Sequence, residues 1–229
     1  MSAYYNEIDP FAAQWLRNLI SAGYIAPGDV DERSIEDVKP SDIAGYTQCH
    51  FFAGIGGWSY ALRLAGWPDD KPVWTGSCPC QPFSQAGQRK GFTDERHLWP
   101  SFEWLIQQLR PNPIFGEQVA SADGRRFFDL LATDLEANSY SVGAADICAA
   151  AVGAPHIRQR LWWVANSDRH ATIRTTKSRK ELLPWPNGSK IPRVDDGISN
   201  YLDFVRAFGN AIVPQVAAEF INAYMEVSQ

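Results

Sequence analysis

The feature that most constrains this 229-residue chain is a regular alternation of short apolar runs with helix-length amphipathic stretches. Apolar residues at three- and four-residue spacing predict helices over Pro10–Ala22, Gly57–Ala65, Leu98–Leu109, Phe127–Ala137 and Val213–Met225. Between them, Gln48–Phe52, Pro72–Cys78, Pro113–Phe115, Tyr140–Ala144 and Leu161–Ala165 read as strands. Strands separated by helices need crossover connections. The pattern therefore predicts an α/β fold: a mostly parallel sheet with helices on both faces. With 45% hydrophobic residues, the chain can bury the core of one domain plus a small appendage.

The net charge is −5 and the isoelectric point about 5.4. A passive nucleic-acid coat protein would be basic, so any contact with nucleic acid has to come from a local patch. Residues 166–193 lack periodicity and hold seven Lys/Arg against two Asp/Glu. That stretch reads either as a solvated linker or as a phosphate-contacting surface. Cys49, Cys78, Cys80 and Cys148 form no disulfide framework, which fits a reducing compartment. The opening MSAYYNEIDPF has no signal-peptide apolar region, and no run reaches membrane-spanning length. The expectation is a soluble cytoplasmic protein without a membrane partner.

Three stretches carry chemistry. FFAGIGG, residues 51–57, joins a strand to a helix, where glycines let backbone approach a ligand and aim helix N–H groups at it. A plain glycine-rich turn would look the same. A nucleotide-type cofactor also needs a carboxylate beyond the neighbouring strand for its ribose, and Asp69 and Asp70 come too early to serve. In GSCPCQPFSQAG, residues 76–87, Cys78 and Cys80 lack the partner pair a metal site needs, and no metal is expected. A disulfide between them is sterically poor, which leaves a buried structural thiol or a nucleophile at the root of a closable loop. Further on, Glu117 ends a short strand in apolar surroundings that would raise its pKa; a capping or surface acid is the alternative. Arg158 and Arg160, spaced to point the same way in extended chain, read as an anion clamp or a salt-bridged edge.

Taken in order, these pieces resemble the DNA (cytosine-5)-methyltransferase family. FAGIGG resembles its S-adenosylmethionine turn, PCQPFS its nucleophile motif and GFTDER its closing loop. GEQV resembles its acid motif, PHIRQR its arginine motif, and GNAIVP the C-terminal motif that completes the cofactor pocket. The resemblance implies a Rossmann-like fold of the S-adenosylmethionine-dependent methyltransferases. It also implies methyl transfer to C5 of cytosine in double-stranded DNA, with S-adenosylhomocysteine as product. Cys80 would attack C6 of a flipped-out base, Glu117 would act at N3, and Arg160, organised by Arg158, would hold the O2 side. Phe52, Gly54, Gly56, Gly57, Pro79 and Asn210 would bound the cofactor. The loop from Gln81 to His97 would close on the base, bringing Gln81, Ser84, Arg89, Lys90 and Arg96 to DNA.

In that family the ribose acid lies between the glycine turn and the nucleophile, an interval that is nearly empty here. The N-terminal YYNEIDPFAAQWLRNLISAGYIAPGDV looks like the absent piece moved ahead of the turn. A permuted strand order follows, with space order 3-2-1-4 kept. Glu7 would hold the ribose, Ile8 would cover the adenine, and Asp29 with Val30 would meet its edge. Three residues depart from the motifs: His50 replaces an acid near the methionine amine, Gln118 an Asn, and His156 a Gln. The recognition region is much shortened. The expected division is a catalytic and cofactor-binding domain over 1–165, a reduced recognition region over 166–200, and a returning segment over 201–229. Two other readings stay open: a catalytically impaired relative that binds cofactor and DNA, and a subunit whose recognition surface comes from a partner or homodimer. A thiol enzyme acting on free nucleotides would share the chemistry.

Overall fold

The computed structural model describes residues 2–79, 98–167 and 211–228. The seven described strands are β1 (Ala3–Asn6), β2 (Gly28–Asp31), β3 (Gln48–Phe51), β4 (Val73–Gly76), β5 (Ile114–Val119), β6 (Ser141–Cys148) and β7 (Gln159–Asn166). The helices are α1 (Pro10–Ser21), α2 (Pro40–Ile43), α3 (Gly57–Leu64), α4 (Trp99–Leu109), α5 (Ala122–Ala137) and α6 (Pro214–Val227), with 3₁₀ turns at Ile35–Asp37 and Ala149–Val152. None of the described helices is long and apolar enough to cross a membrane.

All seven strands form one sheet in the order β2-β1-β3-β4-β5-β7-β6. The pairs from β2 through β5 are parallel, whereas β7 runs antiparallel to both β5 and β6. The first two strands thus stand beside β3, the strand of the glycine turn, although they precede it in the chain. Each of them is only four residues long, and β2 (GDVD) is a polar edge strand. That explains why apolar runs alone do not reveal them.

The helices start where local chemistry satisfies their first N–H groups. Asp9 accepts from Phe11 N–H and Ala12 N–H, and Pro10 opens α1. Ser121 accepts from Gly124 N–H at the head of α5. That helix begins five residues before the predicted Phe127, because its first turn (ADGRR) shows no apolar spacing.

Two cores sandwich the sheet. On one face Phe51, Trp74, Trp99, Phe102, Ile106, Phe127 and Trp163 interlock under α4 and α5. On the other, Trp58, Leu62, Phe115, Trp162, Val216 and Ile221 pack beneath α3 and α6. A satellite of Ala3, Tyr5, Leu16 and Ile25 seats α1. Phe102 and Phe115 are fully buried, each contributing roughly 1.5–3 kcal/mol through removal from water. At Gly116 a side chain lies hard against the sheet, since a Cβ there would sit 2.1 Å from the Trp163 ring.

Candidate active site

The five parallel strands β1, β2, β3, β4 and β5 point their carboxyl ends the same way, the edge where open α/β sheets hold ligands. A cavity of about 490 Å³ opens there, inside the range of roughly 300–1,000 Å³ typical of small-molecule sites. Its walls come from the chain beyond all five of these strands, from the arginine strand β7 and from Ala211 and Ile212 before α6.

The glycine turn and the N-terminal acid meet directly. Glu7, just past β1, accepts from Gly54 N–H at 2.6 Å through Oε2 and from Asp9 N–H at 2.9 Å through Oε1. Burial nonetheless pushes its pKa upward, against the pull of those two N–H groups. Gly54 sits at φ +54°, and a Cβ there would meet no protein atom, so this wall is bare backbone open to a ligand. Phe52 holds φ +52°, a costly backbone state for an aromatic residue, and it lines the same cavity. Ile8, 64% exposed, stands at the mouth. Gly57 belongs to the wall and is covered by Ile212, whose Cγ1 would lie 2.7 Å from a Cβ on it. Gly56 packs instead against Leu16 and Ile25, away from the cavity.

Neither Asp29 nor Val30 reaches this cavity. The Asp29 carboxylate accepts from the Tyr46 hydroxyl at 2.8 Å, and Val30 packs against the cluster under α1. The chain just beyond β2 supplies Arg33, Ser34 and Ile35 in their stead. Asn6 holds that segment in place, donating to the Arg33 carbonyl at 2.8 Å. Sequence reading missed these residues; the turn from GDVD into RSI was the available signal. His50 also stays off the cavity. It is buried, pairs its Nδ1 with Thr75 Oγ1 at 2.8 Å and stacks on Tyr5, and burial lowers its pKa to about 3. The imidazole is therefore neutral, and it cannot meet a cofactor amine from there.

Across the cavity, Glu117 Oε1 accepts from Arg160 Nε at 2.7 Å. Burial raises the Glu117 pKa, while Arg160 and Arg158 pull it down, and burial prevails. The guanidinium contact holds a carboxylate, and burial makes that carboxylate avid for a proton once a neutral polar partner takes the guanidinium's place. Arg158 donates to the Ala211 carbonyl at 2.9 Å, tying the arginine strand to the segment before α6. Its own pKa is lowered, first by burial and then by Arg160. Pro79 and the buried Cys78 complete the wall at the exit of β4. Cys80, Gln81, Ser84, Arg89, Lys90, Arg96 and Asn210 lie outside the described residues. Among the described residues no three His, Cys, Asp or Glu side chains cluster as a metal site would.

The geometry provides a carboxylate already anchored to a glycine turn, an acid–arginine pair a strand away, and a bare backbone wall between them. The Glu7 oxygens retain further acceptor capacity for ribose hydroxyls, and the turn leaves room for a nucleoside. The site fits S-adenosylmethionine on those grounds.

A family model for C-5 cytosine-specific DNA methylase matches residues 68–203. The Type II methyltransferase M.NlaX of Neisseria lactamica is 31% identical over 145 residues, 58% of this chain and 46% of that protein. The Type II methyltransferase M1.ScrFI of Lactococcus lactis subsp. cremoris is 34% identical over 99 residues, 42% of this chain and 25% of that protein. The matches thus span a quarter to a half of those two relatives. A crystal structure of a DNMT2 mutant from Spodoptera frugiperda superposes with a TM-score of 0.50 at 18% identity, covering 82% of this chain and 49% of that one. That likeness shows the fold, the Rossmann-like α/β sheet of the methyltransferases.

Proposed function

The chain belongs to the C-5 cytosine-specific DNA methylase family, and on that premise we propose that it methylates C5 of cytosine in double-stranded DNA. The observation that carries this reading is a single cavity lined by Glu7, Gly54, Pro79, Glu117 and Arg160. Cofactor-holding and base-activating groups then share one space. When bound, S-adenosylmethionine supplies an electrophilic methyl group and leaves as S-adenosylhomocysteine. Glu7 would accept from the ribose, while Ile8 and Phe52 would flank the adenine.

Cys80, next in sequence to Pro79, is the nucleophile in this reading. Its thiolate Sγ forms a bond to C6, and the C5–C6 π pair moves to C5, which makes that carbon nucleophilic. Glu117 hydrogen-bonds or protonates N3 and so absorbs the charge that addition pushes into the ring. Arg160 turns towards O2, with Arg158 keeping the strand in place. After methylation, water takes the C5 proton, the C5–H pair re-forms the C5–C6 double bond, the C6–Sγ pair leaves on sulfur as the thiolate, and any proton on N3 returns to Glu117. The base has to leave the duplex first, at a cost of about a few kcal/mol. Gln81, Ser84, Arg89, Lys90 and Arg96 are assigned to DNA contact by their place in the sequence from the nucleophile motif through GFTDER, and Asn210 to the cofactor pocket by the GNAIVP motif.

We read the chain order as a permutation of the family's. The sheet order supports this, since β1 and β2 lie beside β3 where the later-numbered cofactor strands belong. The division into 1–165, 166–200 and 201–229, with a reduced recognition region, belongs to the same reading.

Labelled S-adenosylmethionine with duplex DNA tests the function, and bisulfite sequencing of plasmid from an expressing host locates the product. Cys80→Ser should abolish transfer while sparing S-adenosylhomocysteine binding. Undiminished transfer by that variant would defeat the nucleophile assignment.

A further inference from the structure

Gln118 lies between the two strand exits that the proposed reaction uses. It follows Glu117 on β5 and is buried to 5% exposure. Its carboxamide nitrogen donates to the Cys78 carbonyl at 3.0 Å, and its oxygen accepts from Val119 N–H at 2.9 Å. The orientation of this amide is unambiguous, because a carbonyl can only accept and a backbone N–H can only donate.

The position of this contact matters. The ladder between β4 and β5 pairs Trp74 with Ile114, Thr75 with Phe115 and Gly76 with Gly116, and stops there. Beyond Gly116, β5 continues against β7 as far as Val119, opposite Arg160. The β4 chain meanwhile departs through Ser77, Cys78 and Pro79 along the cavity wall. Gln118 bridges the two exits past the last ladder pair. One end of its amide grips the Cys78 backbone, two positions before Cys80 in sequence, and the other locks the backbone next to Glu117.

We propose that Gln118 is a positioning residue: it fixes the separation between the thiol-bearing loop root and the Glu117–Arg160 pair. This rests on the methyl-transfer reading, but it concerns a distance rather than a reacting group. Gln118 borders the cavity, but both ends of its amide are engaged on protein backbone rather than offered to a ligand. A misplacement of about 1 Å between reacting groups is enough to cost a hundredfold in rate.

The test uses the full chain with Gln118→Glu, Gln118→Leu and Gln118→Asn, and with Ser121→Ala as a control. Gln118→Glu keeps the shape and the acceptor but loses the donor to Cys78, whereas Gln118→Asn keeps the amide on a stem one methylene shorter. Ser121→Ala removes the α5 cap nearby and lowers stability without touching either strand exit. Single-turnover methylation should slow about tenfold to a hundredfold in Gln118→Glu and Gln118→Leu, less in Gln118→Asn, with S-adenosylhomocysteine affinity kept within about twofold. The rate of Cys80 alkylation by iodoacetamide, followed by site-resolved mass spectrometry, should change several-fold in the same order, and Ser121→Ala should alter neither rate. Unchanged rates in the Gln118 variants, or rates that follow melting temperature across all four proteins, would overturn the proposal. If the wild type methylates no DNA, the methyl-transfer reading falls, and the alkylation series alone decides the role of Gln118.

Discussion

Glu117 is a carboxyl pulled two ways, and its proton decides what it can do at N3 of a cytosine. Its pKa in the fold lies above the usual 4.5, with burial as the main cause and the two arginines opposing. A raised folded pKa means that the proton contributes stability below the usual value, and this contribution is lost as pH rises through the folded value. Glu117→Gln keeps the shape and cannot ionise. Its urea midpoint should therefore gain on that of the wild type between acidic and neutral pH; parallel curves at both pH values would contradict the upward shift. The same substitution should lower single-turnover methylation by about two to four powers of ten, the range for a displaced acid catalyst. Any decline of the wild-type rate towards alkaline pH should be missing from the variant's residual activity. Glu7 offers a second residue-scale test. Glu7→Ala removes the acceptor for Gly54 N–H and for the ribose, and charge-assisted hydrogen bonds of this kind contribute about 1.5–3 kcal/mol. Calorimetry with S-adenosylhomocysteine should show affinity down about tenfold to a hundredfold, and an unchanged constant would remove Glu7 from the pocket.

Elements with their own apolar rhythm were readable from the sequence, and elements defined by their neighbours were not. Helix α1 was expected over Pro10–Ala22 and spans Pro10–Ser21; α3 was expected over Gly57–Ala65 and spans Gly57–Leu64. The acid strand was read as an apolar run over Pro113–Phe115 with Glu117 at its end, and it continues to Val119, because β7 pairs with it through Glu117 and Gln118. Polar residues inside a buried ladder interrupt the pattern without interrupting the strand. The antiparallel placement of β7 had no local signal at all. The site was legible wherever a motif names its residue, as at Glu117, Arg158 and Arg160. It was illegible where a residue serves by holding backbone, as Asn6 and Gln118 do. Packing between elements can be tested at Gly116, the glycine under the Trp163 ring of β7. Gly116→Ala would place a methyl 2.1 Å from that ring, and the sheet on both sides leaves little room to yield. Overpacking of this kind costs about 1–3 kcal/mol. Denaturant titration should show a lower midpoint with an unchanged slope, and an unshifted midpoint would mean that the ring swings aside.

For the whole molecule the decisive property is that chain order and space order differ while the chain's turning points lie together. Ser2, Thr47 and Val73 meet at the amino edge of the sheet: Thr47 N–H donates to the Ser2 carbonyl at 3.2 Å, and Val73 N–H to the Thr47 carbonyl at 3.3 Å. Pro68, just after α3, is beside them, since its carbonyl accepts from the Gln48 side chain at 3.0 Å. Cutting before Thr47 and moving residues 2–46 between positions 70 and 71 therefore needs only short connectors. The rearranged chain would run from β3 and α3 into β1, α1, β2 and α2, and then into β4. No strand changes neighbour and no crossover changes length appreciably, so the folded state should be unaltered; loop-closure terms vary only slowly with loop length. The rearranged protein should unfold in one transition, with the same midpoint by fluorescence and by circular dichroism. Its affinity for S-adenosylhomocysteine should stay within about tenfold of the original, a difference of roughly 1.4 kcal/mol. If it folds with that midpoint and binds no cofactor, then the N-terminal segment is not the displaced half of the cofactor pocket. The pairing of Glu7 with Gly54 would in that case be a hydrogen bond of the fold alone.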